Sequence, residues 1–215
     1  MWRVPELNAQ YISRMEDVLA VYEKPYNAAE PVVCIDEKPI SLHRDVRPPT
    51  PAQPGREARR DNEYQRCGTA NVFCAVEPKA GRHFTRPTPH EFARMAIAYP
   101  AAKTIHLVTD NLDIHCRKSR VGCYGAEFGD YLWRHFTVRY TPQHGSRRNQ
   151  AEIEIGLFSR QCLGRRRIPG LAALQRQAHE RNQTIRRTGT KISWQFNRQD
   201  ARRRFGPNKN QFTRL

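Results

Sequence analysis

Two aspartates sit where short apolar runs give way to polar residues: Asp36 after Val33-Cys34-Ile35 and Asp110 after Leu107-Val108-Thr109. Such runs mark strands buried on both faces. In an open α/β sheet the side chains at neighbouring strand ends converge on one crevice. A third acid comes from Asn149-Gln150-Ala151-Glu152-Ile153-Glu154, which opens a helix. Glu152 and Glu154 stand about 200° apart around that helix, so at most one faces a given site, and periodicity does not choose between them. Carboxylates forced together repel one another and need cations to stay ionised, and an oxygen-only donor set suits Mg²⁺ or Mn²⁺. Each position also has a plain structural use. Asp110-Asn111 can nucleate an Asx turn, and Glu152, three residues after Asn149, can complete a capping box.

The charge balance says what those acids would act on. Lys plus Arg is 37 against 21 Asp plus Glu in 215 residues, a net +16 with pI near 10.2. A compact chain tolerates that self-repulsion best beside a polyanion, so nucleic acid is the expected partner and metal-assisted phosphodiester chemistry the expected reaction. Mean hydropathy is −0.81, no run approaches the ~20 apolar residues of a membrane span, and no secretion signal is visible, so a cytoplasmic, nucleoid-associated protein is expected. The six cysteines form no C-x-x-C pair and read as reduced thiols. His115, Cys116 and Cys123 match no common zinc spacing.

The elements that must position the acids can be placed by pattern. Ile12, Met15, Leu19 and Tyr22 recur at helical spacing over Asn8 to Tyr22 and predict a helix docked on the domain. A buried strand over 32–35 ends at Asp36, and residues 39–66, rich in Pro and Arg, read as a basic irregular loop with equal claims to being solvated or phosphate-contacting. Thr69 to Val76 and His83 to Thr85 form a hairpin about Pro78-Lys79-Ala80-Gly81. A helix over 89–99 and a strand over 104–109 then make a parallel crossover. Helices are expected over 128–136, 151–162, 171–181 and 200–205, a brief strand over 137–140, and an extended piece over 192–196. Trp194 reads as a core or lid aromatic.

These residues resemble a known family. Val33-Cys34-Ile35-Asp36-Glu37-Lys38-Pro39, Gly68-Thr69-Ala70-Asn71, Leu107-Val108-Thr109-Asp110-Asn111-Leu112 with His115, Tyr140-Thr141-Pro142-Gln143-His144-Gly145-Ser146, Asn149-Gln150-Ala151-Glu152-Ile153-Glu154 and Ser159-Arg160-Gln161-Cys162-Leu163 are similar to the D-D-E endonuclease domain of bacterial insertion-sequence transposases of the mariner-like superfamily. The likeness runs in order from about residue 31 to Phe205. It implies an α/β ribonuclease H-like fold, a central mixed sheet flanked by helices, over residues 31–205, with 1–30 as an N-terminal helical extension and 206–215 as a basic tail.

Carried over position by position, the resemblance implies Asp36, Asp110 and Glu152 as the catalytic and metal-binding triad for two Mg²⁺ or Mn²⁺, because the family's last acid closes N-x-x-E. It implies cleavage of element ends and their joining to target DNA, commonly at TA. Asn111, His115, His144 and Asn149 are candidates for supporting the triad or contacting DNA. Arg147, Arg148, Arg165, Arg166 and Arg167 are candidate phosphate contacts, as are Arg186-Arg187, Arg202-Arg203-Arg204 and Lys209 as a group.

Three departures qualify the likeness. Only about thirty residues precede the first strand, too few for the family's helix-turn-helix region, so end recognition is expected from a separate polypeptide or a full-length transposase. Homodimerisation is expected from the family when active. Segment 87–103 looks short and is pinched by Pro89 and Pro100, and Arg147-Arg148 replaces the aromatic-aliphatic pair that usually precedes the N-x-x-E asparagine. The sequence reading is therefore the catalytic domain of a DNA transposase. The alternatives are a truncated, inactive DNA-binding remnant, which the two arginines favour, and a ribonuclease H-type enzyme on RNA:DNA hybrids, against which the N-x-x-E match argues.

Overall fold

The computed structural model describes residues 8–87, 91–110, 116–143, 145 and 148–205. The elements run α1 Ala9–Glu23, β1 Val32–Asp45, β2 Tyr64–Glu77, β3 Arg82–Arg86, α2 Glu91–Ala98, β4 Ile105–Thr109, α3 Arg117–Tyr124, α4 Ala126–Arg134, β5 Phe136–Tyr140, α5 Ala151–Phe158, α6 Leu171–Thr188 and α7 Arg198–Phe205. One five-stranded sheet has the order β3-β2-β1-β4-β5. The β1–β2 and β2–β3 pairs are antiparallel, while the β1–β4 and β4–β5 pairs are parallel. This is the α/β ribonuclease H-like sheet expected from the sequence. Among the described residues no helix is long and apolar enough to cross a membrane.

Strand periodicity assigns the two faces of the sheet. Val33, Ile35, Ile105 and Leu107 meet Met95 and Tyr99 on one face, so the short segment around α2 still packs. On the other face Cys34 and Val108 meet Tyr11, Met15, Leu19 and Tyr22 of α1 with Ala151 and Ala201, and Ile40, Leu42 and Cys74 meet Phe158, Leu174 and Ala178. Helix α1 is capped by Asn8, whose Oδ1 accepts the Tyr11 N–H at 2.8 Å. It is fastened by Asp17 to Arg139 on β5 and by Glu16 and Glu23 to Arg202 and Arg198 near α7.

Several elements differ from the pattern reading, each for a physical reason. Strand β1 does not stop at Ile35. It continues to Asp45 because β2 pairs with it throughout, and alternate side chains Ile40 and Leu42 stay buried, so the irregular loop shrinks to 46–63. Pro39 is tolerated because β4 pairs only with Val32–Cys34, which leaves that side of β1 an open edge. Opposite Leu42 the ladder shifts register at Gly68, whose φ of 96° suits glycine and produces a bulge. Helix α3, polar nearly all round, has no apolar stripe to reveal it, and Gly125 at φ 83° separates it from α4. Helix α6 runs on to Thr188 with Ile185 buried. Helix α5 ends at Phe158 and widens into a π-type turn over Ser159–Leu163. Residues 192–196, expected as an extended piece, lie outside helix and strand, and Ile192, Trp194 and Phe196 pack against the α1 cluster. The basic tail 206–215 lies outside the described residues. All six cysteines are free thiols, with Cys34, Cys74 and Cys162 buried.

A buried ionic cluster locks α5 to the sheet. Glu154 accepts hydrogen bonds from Thr85 at 2.6 Å and from Arg181 of α6, and its other oxygen lies 2.6 Å from His83 Nδ1. Burial pushes the Glu154 carboxyl up, but His83 and Arg181 outweigh it and hold the pKa at about 2. Asn182 then pairs with both the N–H and the C=O of Thr85, taking the place of a further strand along the β3 edge.

Two outcomes are expected. Leu19→Ala, in a fully buried position, lowers stability by about 2–5 kcal/mol in urea unfolding, and a loss near zero would mean that α1 is not part of the core. Glu154→Gln costs about 3–5 kcal/mol at pH 7, because it leaves Arg181 buried without its counter-charge. Because the folded pKa of Glu154 is depressed, its contribution is complete above the ordinary 4.5 and is lost as pH falls through 4.5 toward about 2. Wild type therefore loses its advantage over the variant across that window, and parallel pH profiles would contradict the assignment.

Candidate active site

The register of the parallel strands places the first two acids. Cys34 of β1 pairs with Val108 of β4, and both side chains lie in the cluster that holds Ala151. Two residues further along each strand come Asp36 and Asp110. They fall at the same level and on the same face, with neighbouring strands roughly 4.8 Å apart. Asp110 lies just past the end of β4. Asp36 lies past the last β1–β4 pair but remains inside the β1–β2 ladder opposite Cys74. One Asp36 oxygen accepts the Glu37 N–H at 2.8 Å.

Helix α5 brings the third carboxylate to the same face. Ala151 is buried against Cys34 and Val108, which sets the first turn of the helix beside the last β1–β4 pair. Within that turn Glu154 points into the fold and is consumed by His83, Thr85 and Arg181, while Glu152 is exposed. The electrostatics show which acids approach one another. Burial is the largest influence raising the Asp36 pKa, to about 7. The charges of Glu152, Asp110 and Glu37 push the same way against the Glu37 N–H, which pulls it down. Asp36, Asp110 and Glu152 thus share one electrostatic neighbourhood just past the last β1–β4 pair.

The donor set is carboxylate oxygen only, which fits a hard divalent cation better than zinc. Among the described residues no three His, Cys, Asp or Glu side chains stand close enough to hold an ion as placed. The fit therefore rests on donor chemistry and on the like charge accumulated at Asp36. Cys116 is half-exposed and Cys123 exposed, both as free thiols. Asn111, His115, His144 and Arg147 lie outside the described residues.

Asn149 has an inward role. Its Nδ2 donates to the Ile35 carbonyl at 2.7 Å and its Oδ1 accepts the Ala151 N–H at 3.1 Å, tying the start of α5 to the residue before Asp36. Glu152 N–H donates to the Asn149 carbonyl at 3.1 Å. The asparagine and glutamate of N-x-x-E are thus an anchor and the acid that it positions.

Two of the arginines expected on phosphate are turned into the fold, and a third, Arg166, is exposed but held by neighbouring acceptors. Arg148 donates to the Tyr11 hydroxyl at 2.6 Å and lies over the Tyr11 and Phe205 rings. Arg167 binds Asp45 at 2.7 Å and the carbonyls of Asp61, Asn62 and Glu63, with its guanidinium over Tyr64, and so fastens the root of the β1–β2 arm. Arg166 donates to the carbonyls of Gln161 and Cys162 and to Gln177. A guanidinium with five donors satisfies several carbonyls at once, which a run of Arg letters does not disclose. Arg165 stays exposed, as do Arg186 and Arg187. The pattern reading passed over Tyr11 and Tyr22 as apolar helix positions. The available signal was that a buried tyrosine must find a partner for its hydroxyl.

No curated protein matches the chain. Among solved structures, the Mos1 mariner paired-end complex with Mn is 14% identical with a TM-score of 0.43, and the match covers 89% of this chain and 66% of that one. The Mos1 strand transfer complex is 14% identical with a TM-score of 0.45, covering 90% and 66%, and the Mos1 paired-end complex with Mg is 13% identical with a TM-score of 0.41, covering 90% and 66%. The chain thus spans just under two thirds of the length of those chains. The family model described as DDE superfamily endonuclease matches residues 31–175. That span holds every strand of the sheet and all three converging carboxylates, and the chain belongs to the DDE superfamily of endonucleases.

Proposed function

We propose that the chain is the catalytic domain of a DNA transposase, cutting phosphodiester bonds at element ends and joining the freed 3′ ends to target DNA. The observation that carries this reading is the convergence of Asp36, Asp110 and Glu152 on one face just past the last β1–β4 pair, with Asp36 raised to about 7 by burial and by its two neighbours. In each step a water or a 3′ hydroxyl attacks phosphorus in line, the opposite P–O bond breaks, and the departing oxygen takes a proton from solvent. Two Mg²⁺ or Mn²⁺ ions held by the three carboxylates would supply charge stabilisation for the pentacovalent transition state and an ionised nucleophile at neutral pH. Asp36 and Asp110 present their oxygens from strands of fixed register, and Asn149 holds the turn that presents Glu152. Exposed Arg165, Arg186 and Arg187 provide sequence-independent attraction for phosphate. The active form is assigned to a homodimer.

With duplexes carrying pre-cut 3′ hydroxyl ends in Mn²⁺, the wild-type chain is expected to nick and join DNA. Asp36→Asn, Asp110→Asn and Glu152→Gln each reduce the rate by about 10³-fold or more, the scale of several kcal/mol of lost charge stabilisation. Asp110→Asn with full activity would overturn the assignment. Equal inactivity of wild type and variant with retained DNA binding would replace it by a non-catalytic DNA-binding role. A second expectation needs no substrate. Because the folded pKa of Asp36 is raised from 3.8 to about 7, its ionisation opposes folding increasingly as pH rises across that window. In chelator, Asp36→Asn should therefore melt above wild type at pH 8 and lose that advantage by pH 4. An advantage unchanged between the two pH values would contradict the burial and crowding of Asp36.

A further inference from the structure

Tyr22, the last buried residue of α1, lies outside the span matched by the family model, yet its hydroxyl sits between the supports of two of the three acids. The Tyr22 Oη–H donates to the Arg148 carbonyl at 2.9 Å. The same oxygen receives the Gln150 N–H at 3.4 Å and lies 3.3 Å from Cys34 Sγ. A phenol has one proton to give and two lone pairs. With the proton committed to Arg148, the Cys34 thiol and the Gln150 amide are the two donors, and the oxygen is fully used. Cys34 is two residues before Asp36 on β1, and Gln150 is two residues before Glu152 on α5.

We infer that Tyr22 is a positioning residue for the carboxylate site: its hydroxyl bridges the strand bearing Asp36 to the turn bearing Glu152 and so sets their separation. The inference rests on the metal-dependent reading above. The turn from Arg148 to Gln150 is held to β1 by the Asn149 side chain on the Ile35 carbonyl, by the Gln150 N–H toward Cys34 and by this hydroxyl, which alone of the three comes from outside the matched span. Asn149 fixes the height of the turn along β1, and Tyr22 fixes its approach from the α1 side. Around Tyr22 the support is doubled: the Trp194 ring stands edge-to-face with it at a centroid distance of 5.7 Å, and Tyr11, about three turns earlier on the same face of α1, receives Arg148 at 2.6 Å. Segments before and after the matched catalytic span therefore converge on the turn that presents Glu152.

The test compares Tyr22→Phe with Met95→Ala, a core truncation on the opposite face of the sheet, in the full chain. Mn²⁺ affinity is read by calorimetry, and amide exchange at Gln150, Ala151 and Glu152 by NMR. Losing a hydrogen bond that orients metal-ligand supports costs 10–100-fold in affinity or activity. Tyr22→Phe is therefore expected to weaken Mn²⁺ binding about 10-fold or more and to speed exchange at those three amides. Met95→Ala, though destabilised, should leave both unchanged. Should Tyr22→Phe fold too poorly to measure, Tyr11→Phe, which removes only the acceptor for Arg148, is expected to show the same pattern more weakly. Tyr22→Phe with wild-type Mn²⁺ affinity and wild-type exchange would overturn the inference. Failure of the wild-type chain to bind Mn²⁺, with Asp36→Asn behaving identically, would instead overturn the metal-dependent reading on which it rests.

Discussion

The structure turns on one constraint: carboxylates that repel must be held side by side. Nothing in the acids favours their meeting. Burial and like charge together raise Asp36 to about 7, so the approach is imposed by groups that lie elsewhere. Register supplies the first part. Once Cys34 pairs with Val108, Asp36 and Asp110 reach the same level and the same face with no further choice. The third acid lacks that guarantee, because it arrives on a helix after a turn. Accordingly the start of α5 carries a disproportionate share of specific bonding: Asn149 to the Ile35 carbonyl, Tyr22 to the turn, and the Glu154 cluster one face round the same helix.

The pair of glutamates on α5 shows how one turn serves two demands. Side chains two apart on a helix diverge, so one can be buried while the other reaches solvent. Glu154 takes the inward direction and is neutralised by Arg181 and His83, drawing α6 and β3 against α5. Its charge is satisfied where Glu152's is left for external use. A strongly basic chain makes the same division among its arginines. Arg148, Arg166, Arg167 and Arg181 are spent on carbonyls, rings and buried acid, so the surface available to phosphate is smaller than the net charge suggests.

What could be read from the letters follows which interactions are local. The apolar runs that stop at Ile35 and Thr109 are local signals for Asp36 and Asp110, and the resemblance at N-x-x-E singled out Asn149 and Glu152. The choice between Glu152 and Glu154 was not legible from period alone, because it depends on His83 and Thr85 of β3 and Arg181 of α6, both distant in the chain. The length of β1 was missed for a similar reason. Past Asp36 its sequence reads as charged and Pro-bearing, and it remains a strand because β2 pairs with it and α5 and α6 cover Ile40 and Leu42. Helix α3 carries too little apolar pattern to be seen, and the inward course of Arg148 and Arg167 depends on acceptors far away in sequence.

The Arg147-Arg148 substitution of an apolar pair bears most on whether the site is intact. Read as letters, an arginine before the N-x-x-E asparagine suggests a loop that has lost its packing. In the fold, Arg148 restores that packing by other means: its guanidinium lies over Tyr11 and Phe205 while its carbonyl receives Tyr22. Two of these three aromatics come from α1 and the third ends α7, outside the matched catalytic span. The packing around Arg148 is thus supplied by residues outside the matched span, and the turn that bears Glu152 rests on the flanking helices as well as on the sheet.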